Sequence, residues 1–255
     1  MTRIPVLYAF ARSGGTLVNQ ILGVAGTCIV LSEINPSAFN ESLSEQVSAW
    51  FALVSDDEIG QFSRLPYHKK IRHLHDAASL QEKRLVIRDW PTINFLPGAA
   101  EYFTMPSRLL EQEIYLKRAG FEQTPLVVTR RGDCVYDSIK ENFPHLVALS
   151  IETFAKAYLA YAQAVSEFPK VRLESLRRKP KETVQEILKA FNLDEDPDYL
   201  LNNFFKYKKC TGNITLKVEN KSARAESVLD DNTAPRKKYS YVSALSEADG
   251  LLGYV

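Results

Sequence analysis

Short apolar runs alternate with helical periodicity along most of the chain. Residues 4–10 (IPVLYAF) read as a buried strand, as do 28–31 (CIVL), 84–87 (RLVI), 126–129 (LVVT) and the shorter 171–173. A continuous apolar run of this length suits a strand covered on both faces. Leu17, Val18, Ile21 and Leu22 form a stripe that predicts a helix over 16–25, stopping near Gly26. Helices are also predicted over 42–54, over 65–78, over 106–119 with Gly120 closing it, and from about Asp133 onward, with Asp133 placed as its N-cap. Two more are predicted over 151–167, with Phe154, Tyr158 and Tyr161 on one stripe, and over 180–191. Strands alternating with helices imply βαβ units, a parallel sheet and an α/β layered domain. No internal repeat or low-complexity tract interrupts this pattern.

The pattern weakens from 207 to 239, where polar residues and Lys dominate (KKCTGN, ENKSARAES, DDNTAPRKK). Between Lys206 and Lys238 there are nine Lys or Arg against four Asp or Glu, while the whole chain carries only +1. The remainder is therefore net negative, and the near-neutral total conceals a basic segment. A stretch of that length without its own elements suits a lid or binding loop. The chain is read as one domain over 1–255, with 207–240 as a basic lid segment folding back on it.

Composition adds mainly exclusions. With 255 residues, 45% hydrophobic and 25% charged, the chain is an ordinary globular one, not fibrous or disordered. The total charge argues against a nucleic-acid partner. No apolar run approaches the roughly 18 residues of a membrane span. The apolar stretch near Arg3 and Pro5 reads as a strand, not a signal peptide. Cys28, Cys134 and Cys210 are odd in number, widely spaced and without a CxxC. They suit a reducing compartment and neither a disulfide framework nor a zinc site. A cytoplasmic location and no metal are therefore expected. His68, His73 and His75 fall on a basic helical stretch and read as solvated, or as placing one His at an acceptor pocket.

Two segments carry candidate chemistry. The first is LYAF-ARSGGT-LVNQIL, a strand, a turn and a helix. The carboxyl end of a strand in a parallel sheet opens into the ligand crevice. Gly14 and Gly15 allow close approach of an anion, and the helix directs free N–H groups at the same place. Ser13 and Thr16 can donate hydroxyl hydrogen bonds, and Arg12 adds a planar, fixed charge suited to phosphate or sulfate. The GxxxxGK[ST] spacing of nucleotide triphosphatases is absent, since the loop has no Lys. A turn using Gly for geometry alone, with Arg12 in solvent, gives the same pattern. The second segment is VVTRRGDCVYDSIKENF, which puts Arg130 at a strand end and Ser138 eight residues later on the next helix. That pair can grip one phosphate from two sides, or can be a solvated Arg and a neutral Ser.

Together these segments resemble the sulfotransferase family that uses 3′-phosphoadenosine 5′-phosphosulfate (PAPS). That family has a [KR]SGTT loop after its first strand; here the loop is Arg12-Ser13-Gly14-Gly15-Thr16. It also has an Arg, seven residues and a Ser, matched by Arg130 and Ser138. Residues 171–193 (VRLESLRRKPKETVQEILKAFNL) are similar to its strand–Glu–x–Leu–loop–Pro–helix segment, in which Glu174 is structural. The order and intervals agree over about three quarters of the chain. The Arg form of the loop occurs in the carbohydrate and tyrosylprotein branches. Gly15 departs from the usual Thr or Ser, so one loop hydroxyl is missing.

The resemblance implies a three-layer α/β fold with a central parallel β-sheet, P-loop NTPase-like in the manner of sulfotransferases. It implies sulfuryl transfer from PAPS to an acceptor hydroxyl, with no metal. The 5′-phosphosulfate would lie on residues 12–16, and the 3′-phosphate on Arg130 and Ser138. Arg12 would stabilise the departing bridging oxygen. The His base of many cytosolic members is absent, because its place reads Arg88-Asp89-Trp90. Glu33, at the end of the second strand, is the base the resemblance implies, as in some branches with the Arg loop. Asp89 is the next candidate, or else a structural partner of Arg88, and Arg88 can instead stand close to the sulfuryl group. Arg224, with Lys221, Lys237 and Lys238, is a candidate for a loop over the nucleotide. Trp90, Phe95, Tyr102 and Phe103 can line an acceptor pocket or belong to the core. Two other readings remain open: a small-molecule kinase with a degenerate P-loop, and an inactive nucleotide-binding module. The identity of the acceptor is not encoded in any recognisable feature.

Overall fold

In the computed structural model, residues 2–38, 41–100, 105–212, 239 and 241–254 are described. Five strands form one parallel sheet: β1 (Arg3–Ala9), β2 (Cys28–Leu31), β3 (Arg84–Asp89), β4 (Glu122–Thr129) and β5 (Lys170–Arg172). Their spatial order is β2-β3-β1-β4-β5, and every pairing is parallel. The chain fills the β2–β3 side of β1 first and then crosses to the β4–β5 side. The carboxyl end of β1 is thus the point where the connections reverse direction, the place where open α/β sheets form their ligand crevice.

Among the described residues there are twelve α-helices. They are α1 (Gly15–Gly23), α2 (Glu41–Glu45), α3 (Ile59–Arg64), α4 (Tyr67–Leu80), α5 (Thr92–Phe95) and α6 (Glu111–Arg118), followed by α7 (Gly132–Asn142), α8 (Ile151–Ala164), α9 (Leu173–Arg178), α10 (Pro180–Phe191), α11 (Pro197–Asn203) and α12 (Ser243–Leu251). A π-helix, Gln46–Trp50, continues α2. The helices cover both faces of the sheet. On one face, Ile4, Val6 and Tyr8 of β1 pack with residues such as Ile71 of α4 and Phe154 and Tyr158 of α8. On the other, Leu7 and Ala9 pack with Ile21 of α1 and with Ile187 and Phe191 of α10. Alternate residues of one strand therefore enter two separate cores, which explains its unbroken apolar run.

The α/β architecture expected from the periodicity is present, with several shifted boundaries. The helix expected over 65–78 begins two residues later, because Pro66 disfavours a helical backbone at Leu65. Leu65 is extended (ψ 144°), so α3 ends before it and α4 begins after Pro66. The helix expected over 42–54 ends early, after the π-helix, at Ala52 with φ 50°. The helix expected over 106–119 begins only at Glu111. Asp133 does not cap α7: it lies inside the first turn and binds Arg131, and the Gly132 N–H is taken by Asp249 Oδ1 at 2.7 Å instead. That acceptor comes from α12, more than a hundred residues away in sequence, where no local pattern announces it.

Candidate active site

The turn after β1 is held from below. The Ala11 N–H donates to Thr92 Oγ1 at 2.6 Å, and the Ser13 N–H and hydroxyl both reach Phe10 O, at 3.0 and 2.7 Å. Ser13 is buried, so its hydroxyl proton is used inside the turn and not offered to a ligand as expected. Arg12 takes a left-handed backbone (φ 68°), unusual for a residue with a Cβ and of a kind that recurs at functional sites. Gly14, at φ 103°, precedes the first turn of α1. No side chain caps α1, so its first N–H groups face the crevice without an intrahelical partner. Gly15 is required by space: a Cβ there would stand 2.4 Å from Ala9 Cβ and 3.0 Å from Arg88 Nε. The guanidinium of Arg88 therefore lies against the loop at Gly15.

On one side of this turn, three expected residues come together. Arg12 Nε donates to Ser138 Oγ at 2.9 Å, and Arg130 Nη1 donates to Arg12 O at 3.1 Å. Arg130 is itself anchored through its carbonyl, which accepts from Tyr158 OH at 2.7 Å. Among the described residues neither arginine forms an ion pair. Burial, and then the neighbouring Arg130, pull the Arg12 guanidinium below its ordinary pKa. Two cations and a hydroxyl thus share one corner, the composition of an anion site.

On the other side, Arg88 Nη2 donates to Glu33 Oε1 at 2.6 Å. The Arg88 side chain is 6% exposed and that of Glu33 27%. Glu33 also has a left-handed backbone (φ 55°), which turns its carboxylate away from the strand direction. Arg88 Nη1 donates to Ser32 Oγ at 3.2 Å and to Thr211 O at 3.3 Å, while its buried Nε has no partner among the described residues. Ser32 Oγ further accepts from the Thr211 N–H at 3.0 Å. Thr211 and Gly212 therefore lie across this corner. A Cβ on Gly212 would stand 2.7 Å from Thr16 Oγ1 and 3.6 Å from Glu33 Oε1. Ser32 and Thr211 carry no spacing signal in sequence, and only tertiary folding brings them together.

Asp89 is separated from this arrangement although it follows Arg88 directly. Successive strand residues point to opposite faces. Arg88 projects toward Gly15, and Asp89 projects into the other layer, fully buried, where Asn35 Nδ2 donates to its Oδ1 at 3.1 Å. Burial raises its pKa to about 8, and the Asn35 hydrogen bond only partly opposes this. Glu174 accepts from Tyr254 OH at 2.6 Å, a contact that ties the chain's last residues to α9. Phe95 is in the core. Tyr102, Phe103, Arg224, Lys221, Lys237 and Lys238 lie outside the described residues, as does most of the expected lid. Among the described residues there is no group of His, Cys, Asp and Glu that could hold a metal, and no helix is long and apolar enough to cross a membrane.

No protein-family model matches the chain, and no curated protein matches it in sequence. Solved structures do match in shape. The sulfotransferase domain of the Synechococcus PCC 7002 olefin synthase superposes with a TM-score of 0.63 at 16% identity, over 98% of this chain and 94% of that one. The sulfotransferase domain from the curacin biosynthetic pathway superposes with a TM-score of 0.65 at 17% identity, over 100% of this chain and 99% of that one. At such identities the likeness establishes architecture: the chain has the α/β fold of sulfotransferase domains.

Proposed function

We propose that the protein transfers a sulfuryl group from PAPS to an acceptor hydroxyl. The observation that carries this reading is the pair of corners flanking the N-terminus of α1. One holds Arg12, Arg130 and Ser138, with no carboxylate in an ion pair among the described residues; the other holds a carboxylate, Glu33, against Arg88. A nucleotide donor with phosphates at both ends needs two anion-binding groups, and an acceptor hydroxyl needs a proton acceptor beside the transferred group.

In this reading Arg12, Gly14, Gly15, Thr16 and the free N–H groups of α1 hold the 5′-phosphosulfate, and Arg130 with Ser138 holds the 3′-phosphate. The acceptor oxygen bonds to sulfur while the bond from sulfur to the bridging phosphate oxygen breaks. The acceptor proton passes to the Glu33 carboxylate. Negative charge growing on the bridging oxygen is held by Arg12, the amides of α1 and Arg88, whose buried, unpartnered Nε lies beside Gly15. Asp89 takes no proton in this scheme, since it faces the other layer and is largely protonated at neutral pH.

A thermal-shift measurement tests the donor. A ligand at about 100 times its Kd adds about 2.7 kcal/mol, a rise of several degrees for a chain of this size. 3′-Phosphoadenosine 5′-phosphate (PAP) at micromolar concentration should give that rise, and ATP with Mg²⁺ should not. The reverse result favours a kinase and overturns the proposal. Stabilisation by PAP without transfer from labelled PAPS to any of a panel of hydroxyl acceptors favours an inactive binding module.

A further inference from the structure

The carboxylate of Glu33 is positioned by a backbone segment that has left the sheet. β2 pairs with β3 as far as Leu31 opposite Ile87, and the next backbone bond is from the Ile34 N–H to Arg88 O at 2.9 Å. Between them lie Ser32 and the left-handed Glu33. A left-handed residue with a Cβ persists only where its surroundings hold it. One side chain holds both polar groups of the residue before it. The Ser32 N–H donates to Gln46 Oε1 at 2.7 Å, and Gln46 Nε2 donates to Ser32 O at 2.8 Å. Gln46 is fully buried and opens the π-helix, where the Phe51 N–H reaches Gln46 O five residues back. π-Turns inside helices occur frequently at functional sites.

The primary amide of Gln46 therefore acts as a single residue of neighbouring strand on the outer edge of β2. Only a side chain that both donates and accepts, at this length, can satisfy that peptide. Asn is one methylene shorter, and Glu can do it only while protonated. We infer that Gln46 is a positioning residue for the transfer reaction: it clamps the Ser32 peptide and so fixes the turn that presents Glu33 against Arg88. The inference rests on the reading of Glu33 as the base.

The test compares Gln46→Ala, Gln46→Glu and Glu33→Gln with the unmodified full chain. It uses ³⁵S-labelled PAPS with a panel of sugar, phenol and alcohol acceptors, and PAP binding is measured in parallel. Gln46→Ala should bind PAP nearly as well as the unmodified protein while turnover falls about 10- to 100-fold, the cost of a misplaced reacting group. Gln46→Glu should be most active, relative to the unmodified protein, at low pH. There its carboxyl proton is donated to Ser32 O while its carbonyl accepts from the Ser32 N–H. Relative activity should fall as pH rises and that proton is lost. A residue with a merely structural role would change stability and PAP binding but not the shape of this profile.

If Glu33→Gln is inactive while Gln46→Ala keeps full turnover, or while the Gln46→Glu profile runs parallel to that of the unmodified protein, the inference fails and the base assignment stands. If Glu33→Gln is fully active, or no variant and no unmodified protein turns over, the base reading fails and takes the inference with it. Should Gln46→Ala not fold, the pH profile of Gln46→Glu decides the matter alone.

Discussion

Arg12 and Arg88 stand at the same edge of one sheet, on either side of the same turn, in opposite electrostatic situations. Arg12 bonds a neutral hydroxyl and has a second arginine for a neighbour. Arg88 is nearly buried and holds Glu33, Ser32 and Thr211. The first corner has positive charge left over, and two guanidiniums brought together repel until an anion arrives. The second has its charge matched by Glu33, so it orients a carboxylate and leaves only the Arg88 Nε for the charge that develops in the reaction. A buried ion pair is weak evidence of stability, because desolvation offsets its attraction. The pair is better understood as geometry for a proton acceptor. One corner answers to the ligand and the other to the reaction.

The largest expected effect separates the two corners directly. Glu33→Gln should lower turnover about 10²- to 10⁴-fold, the range of general acid–base catalysis. PAP should still raise the melting temperature nearly as much as before, because the variant keeps the cationic corner. Next in size, Arg130→Ala should weaken PAP binding about 10- to 100-fold, as expected for a hydrogen bond to a charged group. ADP, which lacks the 3′-phosphate, should lose much less. Equal losses for PAP and ADP would show that Arg130 does not read the 3′-phosphate, and the division between the corners would collapse. Binding should also depend less steeply on salt in this variant, since one charge contact is gone.

Gly15→Ser probes the contact between the turn and Arg88. The substitution restores the hydroxyl residue usual in the resembling family, so a reading from sequence alone predicts improvement. The space argues the reverse. A Cβ 2.4 Å from Ala9 Cβ forces backbone to move, and the Arg88 guanidinium must shift with it. Overpacking of this kind costs about 1 to 3 kcal/mol. The melting temperature should fall, with turnover falling as Arg88 is displaced from Glu33. A variant as stable as the parent, with tighter PAP binding, would show that Arg88 does not occupy that place.

The cationic corner was legible in sequence because its parts lie in strand-end turns whose spacing is local. Arg12, Arg130 and Ser138 fall on the strand–turn–helix units that the periodicity reveals, and the structure brings them together. Glu33 and Arg88 were legible as residues at strand ends but not as a pair, since their contact depends on neighbouring strands and on a left-handed turn. The remaining supports came from tertiary folding. Gln46 reaches Ser32 from a π-helix, Thr211 from a polar stretch, and Asp249 caps α7 from the last helix. None has a sequence interval that a periodic pattern can announce. Ser13 shows the converse: its place in the motif suggested a ligand contact, but burial turns its hydroxyl to Phe10 O.

The smallest expected effect on turnover, and the control for the comparison, is Asp89→Asn. Asp89 adjoins Arg88 in sequence but faces the other layer, so the variant should keep turnover close to that of the unmodified protein, in contrast to Glu33→Gln. Its signature is in stability. The carboxyl titrates at about 8 in the folded chain against an ordinary 3.8. Between those values the folded state holds a proton that the unfolded state has released, so this group makes stability fall as pH rises across that window. Asn has nearly the same shape, still accepts from Asn35 and cannot ionise. The melting temperatures of the two proteins should therefore nearly coincide around pH 4. The variant should gain steadily up to about pH 8, and the difference should then stay constant. A difference that does not vary with pH would mean that Asp89 is ionised in its layer. Loss of turnover as severe as that of Glu33→Gln would move the proton acceptor across the sheet and undo the contrast between the two corners.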